Sequence, residues 1–215
     1  MSLRTVENLY DHLSDEIAWR RKELTDVRAL IETKGFTTSK QDALIRAGVA
    51  LLYAHWEGFI KAAATAYLEF VSMQRMRYDE LTPNFIAISV KGKLNEAAGA
   101  HKAAIHNKVV EFFLNNMSDR CTIPYKTVVN TKANLSSTVL QNIIAMLGLN
   151  YTFYETKEKL IDEKLLASRN NIAHGQFLQI TLAEYIELHD QITAMMNQFR
   201  TDIDNSATLS KFKRT

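Results

Sequence analysis

Within "SRNNIAHG", residues 168–175, an arginine and a histidine stand with four residues between them. Imidazole exchanges a proton near neutral pH. Guanidinium offers a planar, permanently charged fork to an oxyanion. Together they meet the two needs of a reaction in which negative charge builds on a substrate oxygen. Asn170 follows Arg169 directly and precedes His174 by four residues, so it shares the histidine's helix face and can hydrogen-bond to it. Gly175 comes next, where a helix C-terminus is expected to stop. That ending would let the imidazole reach out of the helix, whose negative end favours a cation. The competing reading is plain: Arg169 is a helix-end cation and His174 a cap neighbour, with no chemistry between them.

Spacing raises an objection. Five residues along an ideal helix turn through about 500°, which leaves Arg169 and His174 roughly 140° apart. A distorted last turn, with a long arginine wrapping round, would reconcile them. So would a dimer that brings two such helix ends into one cleft holding two arginines and two histidines.

Other residues of chemical interest are weaker. In "AHWEGFIK", residues 54–61, Glu57 and Lys61 are i, i+4 neighbours in the favourable order. Trp56 and Phe59 read as core, and Glu57 or His55 as support for a polar site. His101 and His106 lie five apart with no third ligand nearby in sequence, so they read as exposed rather than as a metal pair. His189 falls on an apolar stripe and reads as a packed, hydrogen-bonded histidine. No HExxH, Walker loop, GxSxG or dinucleotide fingerprint is present. Neither a metal nor an organic cofactor is expected.

The elements that must position these groups are helical. The chain of 215 residues has only two prolines and seven glycines, against 47% hydrophobic and 23% charged residues. A net charge of +2 makes no bulk demand for nucleic acid, although a local basic patch remains compatible with it. The single Cys121 excludes an intramolecular disulfide and any multi-cysteine metal site. "MSLRTVENLYDHL" is no signal peptide and no 18-residue apolar run occurs, so a cytoplasmic protein without membrane contact is expected.

Along the chain, apolar residues at three-four spacing predict a helix over 3–31, broken only where Arg20 takes an apolar place, with Gly35 as its cap. Thr38 and Gln41 suggest a capping box that opens a second helix to about residue 78. Its many alanines and glycines suit the centre of a bundle. One or two shorter helices are expected over 84–117, interrupted at Gly92 and Gly99. Residues 118–135 are polar and irregular, with a β-like "YKTVV", and read as an insertion or mobile loop. "SSTVLQNIIAML" predicts a helix ending at Gly148, and another runs from about 158 to 174. A capping box at Thr181 and Glu184 opens the last. The expected organisation is one helical domain over 1–205 and a frayed basic tail over 206–215.

"RNNIAHG" resembles the RxxxxH motif of the HEPN superfamily. "YAHWEGFIK" resembles the Trp-Glu helix of its RiboL-PSP-HEPN and MAE-type branch, and the segment from Leu160 through "TLAEYIELHDQI" is similar to that branch's last two helices. The resemblance implies an all-α, up-and-down bundle that forms a homodimer, here with a composite active site; the long N-terminal helices and the irregular insertion around 118–135 are read from the sequence itself, and 118–135 matches nothing in the family. It implies a metal-independent endoribonuclease, acting as a toxin or in phage defence, with a possible antitoxin or regulatory partner. Arg169 and His174 match the catalytic pair and Asn170 the polar position after the arginine; Glu57 remains a supporting polar residue. The alternative is a non-catalytic HEPN module that binds RNA, a nucleotide or a partner protein.

Overall fold

A computed structural model describes residues 2–132 and 134–214. Helix α1 (Val6–Ile31) opens on Thr5, whose hydroxyl accepts the Asn8 N–H. Helix α2 (Thr38–Met73) follows a turn in which Gly35 has φ +97°. The cap is Thr37, one residue before the predicted Thr38: its hydroxyl accepts the Lys40 N–H. Gln41 instead donates its side-chain amide to the Ile31 carbonyl and ties the two helices together. Gly35 lies beyond the end of α1, whose last turn closes at Glu32.

Helices α3 (Pro83–Ala98) and α4 (Ala103–Asn115) form a hairpin. Gly92 passes inside α3, and only Gly99 ends a helix. A single turn, α5 (Tyr125–Val128), precedes α6 (Ser137–Leu147), which stops at Gly148 with φ +69°. After the short α7 (Thr152–Glu155), a π-helical segment (Leu160–Leu166) runs without a break into α8 (Ala167–Ala173). The long α9 (Leu182–Thr208) opens on the predicted Thr181–Glu184 capping box. The fold is an all-α bundle, with no strand among the described residues.

The core sits where α1, α2 and α9 meet. Leu13, Leu24, Trp56, Phe59, Ile192 and Phe199 are all fully buried there. Gly48 allows the closest approach: a Cβ on it would meet Ile31 Cδ1 at 2.6 Å and the Tyr185 ring at 2.9 Å. Arg20 keeps its place in the α1 stripe and is buried with it.

Two expectations need correction. The tail is not frayed: Ser206, Ala207 and Phe212 are buried, and the Phe212 carbonyl accepts the Thr82 N–H at 3.0 Å. The tail's one aromatic gains more by docking than by hydration; Thr215 lies outside the described residues. Nor is 118–135 a loose insertion. Cys121, Ile123, Val129 and Leu135 are buried, and "YKTV" forms a helical turn rather than a strand. From Val129 to Lys132 burial alternates, with Val129 and Thr131 inward and Asn130 and Lys132 exposed. Ala133 lies outside the described residues.

Candidate active site

The π-helical segment decides where Arg169 goes. Ile161 and Leu165 are buried at four-residue spacing, and Arg169 is the next residue in that series. A π turn takes more residues than an α turn, so α8 leaves it in a different rotational register from an uninterrupted helix. Asp162 anchors the segment by accepting the Ser137 N–H at 2.7 Å at the start of α6. The series carries the Arg169 guanidinium onto the Tyr53 ring of α2, 4.5 Å from its centroid. Nη1 of Arg169 donates to Asn134 Oδ1 at 3.1 Å and to Asn170 Oδ1 at 2.8 Å. Both of these acceptors are neutral amide oxygens, which help to orient the guanidinium.

Tyr53 holds more than the arginine. Its hydroxyl accepts the buried Leu135 N–H at 2.7 Å, so the segment carrying Asn134 is pinned to α2 beside Arg169. Burial pushes the Tyr53 phenol up to about 12; the Leu135 N–H opposes this, the Glu57 carboxylate adds to it, and Arg169 opposes it. The phenol therefore stays protonated at neutral pH. Tyr53, Glu57 and Arg169 form one electrostatic cluster, which lines an open cavity of about 430 Å³ with Lys61, Thr131 and Ile172.

His174 occupies the C-cap of α8, and its backbone N–H donates to the Asn170 carbonyl at 3.0 Å. The next two N–H groups close a Schellman turn: Gly175 to Ile172 O at 3.1 Å and Gln176 to Asn171 O at 2.9 Å, with Gly175 at φ +67°. The imidazole is exposed, and the cavity lining stops at Ala173. The angular objection therefore holds within one copy: Arg169 turns inward with the core stripe while His174 stays at the rim. The Asn170 amide oxygen accepts from Arg169, a charged and therefore strong donor.

The remaining candidates separate cleanly. Glu57 reaches the site, whereas His55 is buried on another face of α2 against Glu23 of α1, Nε2 to Oε2 2.7 Å. Trp56 and Phe59 are core. His189 is buried, with Nδ1 facing Arg28 at 3.2 Å. His101 and His106 are exposed, and among the described residues no group of His, Cys, Asp and Glu is arranged to hold a metal. Sequence reasoning assigned to the site neither Tyr53 nor Lys61, which it read only as the neighbour of Glu57, nor Thr131 and Asn134. The first two were findable: Ala50, Tyr53, Ala54, Glu57, Gly58 and Lys61 follow a three-four period, so all six face the cavity from one side of α2.

A family profile described as MAE_28990-like HEPN matches residues 9–212. The chain belongs to this HEPN family. The match spans both the Trp-Glu helix and the RxxxxH segment, and the helical bundle agrees with it. No curated protein and no solved structure gives a significant match. Among the described residues of this HEPN protein, no helix is long and apolar enough to cross a membrane.

Proposed function

We propose that this HEPN protein is a metal-independent endoribonuclease in which Arg169 and His174 carry the reaction. One observation supports it above all: a guanidinium over the Tyr53 ring that donates to two amide oxygens in an open cavity, with an exposed imidazole at the same helix end. A guanidinium in that place presents a planar cationic fork at the edge of an open cavity.

RNA brings its own nucleophile. The 2′-oxygen attacks the adjacent phosphorus and loses its proton, the bond from phosphorus to the 5′-oxygen breaks, and that oxygen takes up a proton. The products are a 2′,3′-cyclic phosphate and a 5′-hydroxyl. His174 exchanges the proton at one of these oxygens. The Arg169 fork takes the non-bridging oxygens as charge grows on them. Asn170 and Asn134 fix the plane of the fork. Glu57 positions through Tyr53.

The rim position of His174 calls for a second copy. A homodimer that joins two α8 ends supplies each Arg169 with a neighbouring His174 in a composite site, and the low side chains of Ala50, Ala54 and Gly58 leave room for close approach. A cytoplasmic toxin or defence effector, restrained by an antitoxin or regulatory protein, is the setting in which such an activity belongs.

The test is incubation of purified protein with mixed RNA in EDTA, beside Arg169→Ala and His174→Ala variants. Cutting by the unaltered chain alone, leaving cyclic phosphate ends and sparing DNA, is expected. Intact RNA in all three tubes counts against the nuclease and favours a module that binds RNA, a nucleotide or a protein. Cutting that survives both substitutions places the reaction elsewhere.

A further inference from the structure

The segment that pins Asn134 beside Arg169 has a second side. Its alternation sends Thr131 toward the Arg169 cavity and sends Asn130 and Lys132 to a separate groove between α3, α5 and α6. That groove encloses about 730 Å³. Ile88, Val139 and Ile143 contribute to its apolar floor, and Lys91 and Lys132 stand exposed on it. No carboxylate is among its described lining residues, in a chain with 24 aspartates and glutamates.

Lys132 is held there at a cost. Its φ is +55°, in the left-handed region that a long side chain rarely adopts. The Asn130 side-chain oxygen accepts its backbone N–H at 2.7 Å and fixes that conformation. Lys132 and Asn134 are two residues apart, so their Cα atoms lie within about 7.6 Å of each other. Neighbouring nucleotides of one strand cover such a span.

We infer that this groove holds the single-stranded RNA next to the scissile phosphate, with Lys91 and Lys132 on its backbone phosphates and the aliphatic floor under its bases. The inference rests on the nuclease reading and adds the path of the strand to it. No aromatic is among its described lining residues, so the bases gain contact without stacking, and the groove selects for an unpaired backbone rather than for a sequence.

The experiment measures anisotropy of a labelled single-stranded 2′-O-methyl oligonucleotide, whose attacking hydroxyl is blocked, against salt. The unaltered chain is compared with the double variant Lys91→Ala, Lys132→Asn. Asparagine tolerates a positive φ, so the loop keeps its shape while the charge is lost. Weaker binding is expected, with the slope of log affinity against log salt shallower by about 1.4, at about 0.7 for each phosphate released from a single strand. Lys91→Arg with Lys132→Arg should restore the slope, which separates charge from folding. No binding by the unaltered chain overturns the inference. A slope untouched by the double variant also overturns it and leaves the groove to a protein partner. Cutting of unmodified RNA in EDTA is followed in parallel. Lysine-dependent binding without cutting supports the groove and counts against the nuclease; cutting with an unchanged slope removes the groove and spares the Arg169 site.

Discussion

Two arginines of this molecule sit over an aromatic ring in contrasting surroundings. Arg20 stacks on Trp19 at 4.3 Å, is buried, and gives Nη1 to the Glu16 carboxylate one turn away. Arg169 stacks on Tyr53 at 4.5 Å, is half-buried, and gives Nη1 to two amide oxygens. Each has a histidine nearby. His55 beside Arg20 is buried and faces Glu23, whereas His174 beside Arg169 is exposed. Residue type does not separate the pairs. Their surroundings do: a carboxylate one turn away accepts from the first arginine, whereas amide oxygens accept from the second at the edge of an open cavity.

Substitution at the two arginines should break the comparison most visibly. Arg169→Ala is expected to lower RNA cleavage by about 10²–10³, the scale of losing one charge-stabilising donor, with little change in melting temperature. Arg169→Lys should recover only a small part, since an ammonium has neither the fork nor the flat face that Tyr53 supports. Arg20→Ala should do the reverse. It exposes packing against Trp19 and Phe59 and breaks a part-buried pair, costing about 1–3 kcal/mol in denaturant unfolding while cleavage per folded molecule stays unchanged. If Arg20→Ala abolished cleavage without destabilising the fold, the assignment of roles would be the wrong way round.

The contrast also explains what sequence alone made legible. The helical class followed from scarce proline and glycine, and the Thr181–Glu184 and Gly148 boundaries from local capping chemistry. Arg20 showed itself as a charge on an apolar stripe. The 118–135 segment misled because its apolar residues are few and scattered, each reaching a different neighbour: Leu135 to Tyr53, Cys121 to Ser89. Burial through distant partners leaves no period to read. The same cause hid Asn134 and Thr131. The π segment was equally invisible, because its sequence satisfies an α pattern and only packing selects the wider turn.

Tyr53→Phe sharpens the comparison at a smaller scale. It keeps the ring under Arg169 and removes the acceptor of a buried N–H, so a loss of about 1–2 kcal/mol is expected. If the hydroxyl's work is to hold Asn134 in place, cleavage should fall about tenfold while amide exchange at Leu135 speeds up, on the order of one lost hydrogen bond. Unchanged exchange at Leu135 would show that the segment is pinned from elsewhere.

The smallest effect lies in the pH dependence of the closed arrangement. Burial holds the His55 imidazole below its ordinary value; Glu23 pulls it back up, and Arg20 pushes it further down. In the unfolded chain the same imidazole titrates near about 6.5. Above that pH neither state carries the proton, and the contribution of neutral His55 to stability is complete. As pH falls, the unfolded chain takes the proton first, so stability declines until the folded imidazole is protonated too. Unfolding free energy should therefore drop from neutral toward acid pH, and His55→Asn should remove that part of the slope, read from urea unfolding at matched ionic strength. The carboxylate at 2.7 Å is what keeps the effect small: it welcomes the proton that burial resists. Glu23→Gln removes that compensation and should steepen the decline, whereas a shallower decline would mean that the pair, rather than burial, governs His55.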